Sequence, residues 1–323
     1  MSILQRWQNG SVALITAGLL AACGGGGEAA ISNGSVTPAP APAPAPIAPV
    51  EPGMPGTTGN TAVDGLNWLN FRRSQAGLAV LTRSAQIDSA AQNHSEYQRL
   101  NNKVTHDEEV GKPGYTGANV LQRLSHVGYT FSGSFAYGEV ISASTSNSGS
   151  YLAEELITAI YHRFVVFEPK FKEIGSGDTA TAAGYHYFTT NLTANNGYGA
   201  GLGPTVLATW PVQGQTNVTR NFFSDFEAPD PVENQNEVGY PVSVHADIDV
   251  NLTVTSFTMR PRGGNNLNVK VLAKSSGDVY APNSAASIVP LAVLAPNTVY
   301  DVSFAGTSNN LPISKTWSFT TKP

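Results

Sequence analysis

The chain has almost no cysteine. Cys23 stands alone among 323 residues, so an internal disulfide is excluded and no Cys-x-x-Cys pair exists to hold zinc or run redox chemistry. Charge is scarce as well: Asp, Glu, Lys and Arg make up 13% of the chain, the net charge is −5, and no basic block occurs. A surface that tracks phosphates needs clustered Lys and Arg, so nucleic acid is set aside as a partner. Local signatures of catalysis are missing too. There is no His-Glu-x-x-His for zinc, no Gly-x-Ser-x-Gly, and no convincing triad order for a serine hydrolase. The apolar run at residues 12–20 is about half the length that a membrane-spanning helix needs.

Glycine and proline are plentiful, at 32 and 21 residues, and 41% of the chain is hydrophobic. That balance favours turns and strands over long helices, and the length suggests about two domains. Arg6, the apolar run and the end Leu20-Ala21-Ala22-Cys23 form an export signal. The end resembles a bacterial lipobox, in which the Cys thiol is acylated and becomes the first mature residue. Residues 1–22 are read as the signal peptide and Cys23 as the lipidated residue through which the chain contacts a membrane. Each buried CH₂ contributes about 0.8 kcal/mol and stable anchoring takes more than one acyl chain, a condition that a diacylated Cys meets. Residues 23–60 form a linker, flexible at Gly24 to Gly27 and extended through the Pro-Ala alternation at 37–49. Fully stretched, it reaches on the order of 100 Å. The expected location is the cell envelope, at the outer membrane or cell surface, and the expected state is a monomer.

Residues 61–202 read as α+β. Val63, Leu66, Leu69 and Arg73 have helical spacing with Gly77 as a stop, and Ser84 caps a helix carrying Ile87, Ala90, Ala91, His94 and Tyr97. Thr116 is the expected cap of a helix closed by Gly128, and one helix is expected over 151–167, ended by Pro169. Strands are expected at 171–175 and 185–192. From residue 203 to 323 the helical signal stops. Runs at 206–210, 241–245, 251–259, 267–272, 287–290, 299–304 and 315–320, about seven strands, predict a β-sandwich. Alternation slips once, between Val254 and Phe257.

Several pieces of the first region carry chemistry. They are Leu69-Asn70-Phe71-Arg72-Arg73 with Gly77-Leu78; Ala90-Ala91-Gln92-Asn93-His94-Ser95 with Thr105-His106; Gly138-Glu139; and His162-Arg163 leading to Pro169 and Ile174-Gly175-Ser176-Gly177. His94 lies on the buried stripe of its helix, where a core role is the ordinary reading. His106 lies in the loop that follows, free to face a cleft. Glu139 sits near two aromatics, and an unpaired buried carboxylate is costly, so it needs a partner. Two His and one Glu are a zinc set in many catalytic sites; the same trio can equally hold itself together by hydrogen bonds. His126 reads as a solvated helix-end residue, and His245 has no obvious partner.

In this order the pieces resemble the CAP superfamily, or SCP domains: cysteine-rich secretory, antigen 5 and pathogenesis-related 1 proteins, and the bacterial branch above all. The resemblance covers roughly residues 63–195. It implies an α-β-α sandwich with an open cleft that in many members holds two His and two acidic residues, sometimes with a metal such as zinc. His106 and Glu139 take the first His and first acidic positions, and are the metal and catalytic candidates. His94, His162 and Tyr187 join them as cleft residues. Tyr187 aligns with the family's later strand His, while His186 is one residue off and so on the opposite face. Glu154 and Glu155 are the candidates for the second acidic residue. Residues 203–323 resemble bacterial immunoglobulin-like modules through Tyr300-Asp301-Val302 and Trp317-Ser318-Phe319-Thr320-Thr321. The acidic residues Asp225, Glu227, Asp230 and Glu233 read as a solvated loop, with calcium binding as the other reading. The resemblance implies a cleft that binds a lipid, peptide or glycan of the envelope; the alternative is a metal-assisted peptidase or esterase with Glu139 as general base.

Overall fold

The computed structural model describes residues 51–323; the expectations for Cys23, the export segment and most of the linker lie outside the described residues. Helix α1 (Thr61–Gln75) begins at Asn60, whose side chain accepts the Val63 N–H, and Gly77, at φ +76°, turns the chain beyond it. Strand β1 (Thr82–Arg83) leads to α2 (Ala85–Asn101), with Ser84 at its cap position. Helix α3 (Val120–His126) is capped by Asn119 and not by Thr116, because Thr116 gives both its N–H and its hydroxyl to Glu108. His126 is exposed at its end. Strand β2 (Ala136–Ser144), not foreseen in the sequence, follows.

The single helix expected over 151–167 is two helices, α4 (Gly149–Thr158) and α5 (Ile160–Val166), parted at Ala159 with ψ 116°. Neither Gly nor Pro marks the break. Glu227 makes it: its carboxylate accepts the N–H groups of Ile160, Tyr161 and His162 at 2.8, 2.6 and 3.1 Å, satisfying the donors that a helix start leaves open. Glu227 is therefore buried, and the solvated acidic loop expected around it is corrected at that residue.

Strands β3 (Glu173–Ala180) and β4 (His186–Ala194) complete a four-stranded sheet in the order β1-β3-β4-β2, parallel only between β1 and β3. Helix α2 covers one face, where Ser95 and Gln98 bond to the Thr189 hydroxyl. Helix α1 approaches the other at the Phe188 ring, with α4 packed beside it. The layers are helix, sheet, helix. The Gly-x-Gly of β3 has a steric cause: a β-carbon on Gly175 or Gly177 would lie 2.2 Å from the backbone nitrogen of Asp88 or Gln92. Only glycine lets α2 lie this close to the sheet.

The chain continues through β5 (Ala208–Trp210), β6 (Asn221–Phe223), β7 (Glu237–Gly239), β8 (Val242–His245), β9 (Leu252–Pro261), β10 (Val269–Ala273), β11 (Ala285–Pro290), β12 (Val299–Ser308) and β13 (Leu311–Thr320). These form sheets β10-β11-β8-β5 and β13-β12-β9 and a small β6-β7 pair. The slip in alternation is a bulge, where Ser256 faces Ala305 but Val254 faces Gly306. Val242, Val244 and Ile288 of the first sheet and Phe257, Val302, Phe304 and Phe319 of the second share one buried cluster. Leu69, Phe167 and Leu192 of the N-terminal layers belong to the same cluster. Polar bonds reinforce the contact: buried Arg163 donates to Pro241 O at 2.8 Å and to Ser243 Oγ at 3.2 Å, and Glu168 Oε1 accepts the Ile248 N–H at 3.0 Å.

Candidate functional site

Glu139 sits on β2, opposite Asn191 of β4, on the sheet face that α2 covers. Its side chain is only 2% exposed, so the carboxylate must be met by donors. Arg123 of α3 supplies two, with Nη2 at 2.8 Å from Oε1 and 2.7 Å from Oε2. His106 Nδ1 supplies a third, at 2.9 Å from Oε1. Arg123 Nη1 also donates to His106 O at 2.9 Å, which fixes the loop that carries the imidazole. Burial would raise the Glu139 pKa, but Arg123, His94 and His106 outweigh it and hold the carboxyl well below the usual range.

His94 and Glu108 form the other half of the cluster. His94 Nδ1 lies 2.9 Å from Glu108 Oε1 and its Nε2 lies 2.7 Å from Thr105 O. Both partners are acceptors only, so both ring nitrogens donate and the imidazole carries positive charge. Glu108 Oε2 accepts the N–H groups of Thr116 and Gly117 at 2.5 and 3.1 Å. Burial works against its ionised form, yet these bonds with His94 and Arg123 hold its pKa low. Two buried carboxylates thus face two buried cations. The cluster is neutral without His106, whose side chain is 38% exposed. With Nδ1 turned to Glu139, His106 offers Nε2 outward.

The structure brings His94, His106 and Glu139 together and separates the rest. His162 sits at the start of α5 with Nδ1 on Glu227 at 3.0 Å, held by the C-terminal β region and not by the cluster. Tyr187 shares Glu139's face, buried, with its hydroxyl on Asn102 Oδ1 at 3.1 Å. His186 is on the far face, as the one-residue offset requires. Glu154 is bound by Trp68 Nε1 and Arg72 Nε at 2.6 and 2.7 Å, so it is tied to α1; the second acidic residue of the cluster is Glu108. Sequence reasoning missed Glu108 and Arg123. Their only signal was that each is a charge inside an otherwise apolar or loop segment. His245, buried, has Ser243 Oγ as its partner at 2.9 Å.

The donor set does not fit the metal that His106 and Glu139 were expected to share. A guanidinium on both Glu139 oxygens occupies the lone pairs a cation needs and repels it. Among the described residues, no group of three or more His, Cys, Asp or Glu is arranged to hold a metal ion, the acidic stretch at 225–233 included. The other pieces of the sequence motif are structural here. Asn70 exchanges hydrogen bonds with Leu81, and Arg73 reaches Val166 O and Glu168 O at 2.6 and 2.9 Å.

Residues 66–192 match the model of the cysteine-rich secretory protein family, CAP. The matched residues span the whole cluster. Among solved structures, the chain is similar to an extracellular protein containing an SCP domain from Bacillus anthracis str. Ames, at 23% identity and TM-score 0.35, over 45% of this chain and 44% of that one. It is also similar to an outer surface protein from Borrelia burgdorferi, at 13% identity and TM-score 0.34, over 41% and 90% of the two chains. A third is Schistosoma mansoni venom allergen-like protein 4, at 10% identity and TM-score 0.30, over 44% and 91%. The chain spans less than half the length of the Bacillus protein. No curated protein matches it.

Proposed function

We propose that this protein is an envelope lipoprotein, anchored through Cys23, whose CAP domain binds an envelope or extracellular ligand at the surface around His106. In this reading residues 203–323 are an immunoglobulin-like spacer or docking surface. The observation that carries the binding role is the saturation of Glu139. Among the described residues all its hydrogen bonds come from Arg123 and His106, and it is held ionised, so it has little basicity left to activate a water. What remains open to a ligand is His106 Nε2, on a loop fixed by Arg123. That suits recognition of a hydroxyl or amide donor better than hydrolysis.

Metal binding and peptide cleavage by the purified protein, with and without His106→Ala, test the reading. The expected result is no stoichiometric zinc at micromolar concentration and no metal-dependent hydrolysis. Zinc binding that the variant loses together with a peptidase or esterase activity would overturn it in favour of the hydrolase. The anchor is tested apart, by palmitate labelling that Cys23→Ala should abolish.

A further inference from the structure

The central sheet carries a second polar constellation on the face turned away from Glu139. Side chains alternate along a strand, and the β2-β4 ladder runs without a register shift. Ser144, five positions beyond Glu139, therefore lies on the opposite face. It is paired directly with His186 of β4, which in turn is paired with Ala180 of β3. The His186 ring reaches one step along β3 to Asp178, setting Nδ1 3.1 and 2.9 Å from the two carboxylate oxygens. A hydroxyl, an imidazole and a carboxylate thus lie across three adjacent strands.

The carboxylate fixes the imidazole. With Nδ1 donating to Asp178, the neutral ring leaves Nε2 as an acceptor, and Nε2 has no hydrogen-bond partner among the described residues. The two ring nitrogens point to nearly opposite sides. A ring with Nδ1 turned to β3 presents Nε2 toward β2, where Ser144 stands. Directly opposed residues of an antiparallel pair have β-carbons about 5 Å apart, so rotation about one side-chain bond brings the Ser144 hydroxyl to Nε2. In its present rotamer that hydroxyl accepts the Ser146 N–H at 3.1 Å, a bond it gives up on turning to Nε2. The His186 and Asp178 side chains are 13% and 11% exposed, shielded from bulk water but open at the rim. Burial pushes the Asp178 carboxyl above its usual range while His186 pulls it back.

We propose that Ser144, His186 and Asp178 form an acylation site for small polar esters, separate from the surface around His106. Ser144 Oγ adds to the ester carbonyl carbon as its proton passes to His186 Nε2, and Asp178 holds the imidazolium. The carbonyl-to-alkoxy bond breaks, the departing oxygen takes the proton from Nε2, and the acyl group stays on Oγ. Water that loses a proton to the same Nε2 then releases the carboxylic acid and restores the hydroxyl. Ser142 on the same face and the Ser146-Asn147-Ser148 loop make the surroundings polar, which suits an acetyl group and not a long acyl chain.

The test is acylation of the folded protein by p-nitrophenyl acetate and phosphorylation by diisopropyl fluorophosphate, with the modified residue mapped by mass spectrometry. The expected result is modification of Ser144. Ser144→Ala should abolish it, and His186→Gln, which keeps a donor toward Asp178, should slow it about 100-fold. Asp178→Asn should slow it as well and flatten its pH dependence below neutrality. Ser132→Ala, in an exposed loop, should leave the rate unchanged. Circular dichroism checks that each variant is folded. An unmodified Ser144, a modification that maps to another serine, or an unchanged rate in folded His186→Gln would each overturn the proposal.

Discussion

Replacing Glu139 by Gln keeps the shape of the side chain and removes its charge. His106 Nδ1 can still donate to the amide oxygen, but the amide nitrogen then faces Arg123 Nη2, donor against donor, where a 2.7 Å charge-assisted bond stood. Arg123 is 0% exposed, so its charge loses its nearest counter-ion inside the protein. Breaking a buried ion pair on one side costs about 3–5 kcal/mol. In a unit of this size 1 kcal/mol moves the midpoint by about 2–4 °C, so the melting temperature at pH 7 should fall by about 10 °C. The pH dependence adds a second check. The folded-state pKa of Glu139 is depressed, so its contribution is fully present above the ordinary carboxyl pKa of about 4.3 and is lost as the pH falls below it. The gap between wild type and Glu139→Gln should therefore be constant from pH 8 to 6 and narrow progressively as the pH falls below about 4. Thermal or guanidinium unfolding followed by circular dichroism measures both. A melting temperature unchanged at pH 7, or a gap that does not narrow at all below about pH 4, would refute the charge-balanced cluster.

Glu227→Ala should uncap α5 and leave His162 without its partner, at a cost of about 2–3 kcal/mol, with faster amide exchange confined at first to residues 159–163. Gly177→Ala should force α2 off the sheet, because its β-carbon would meet the Gln92 backbone at 2.2 Å; a loss of about 3 kcal/mol or failure to accumulate is expected, and normal urea stability would show that α2 has room. Glu168 titrates the other way from Glu139. Burial pushes its carboxyl up to about 8, so the stability it confers is complete below the ordinary carboxyl pKa and is lost as the pH rises through about 8. Glu168→Gln should flatten the decline in stability between pH 5 and 9, and an identical decline in the variant would count against a raised pKa.

Much of the local architecture was legible before any coordinates. The stripe of α2, the stop at Gly77 and seven of the nine C-terminal strands follow from periodicity and turn residues, which act over a few positions. The slip at Val254 to Phe257 was visible, though only the pairing with β12 identifies it as a bulge. Strand β2 escaped notice because it is buried on both faces at Ala136 to Ile141 and so shows no alternation. The split between α4 and α5 was illegible for a different reason: its cause, Glu227, lies far along the chain.

The sequence by itself determined that Glu139 needs a partner, that His94 lies on the buried stripe of its helix and that His186 and Tyr187 face opposite ways. Each of these follows from burial cost, helical periodicity or strand alternation. Tertiary structure alone decided what the partners are. Arg123 and Glu108 come from elements with no local tie to Glu139, and their arrival turns a zinc-like trio into a balanced set of buried charges. It also decided that Ser144, His186 and Asp178 share one face on three adjacent strands, because strand order in a sheet is fixed by long-range pairing that no local spacing encodes. Periodicity sets which face a side chain takes; which charges meet there depends on how distant elements pack.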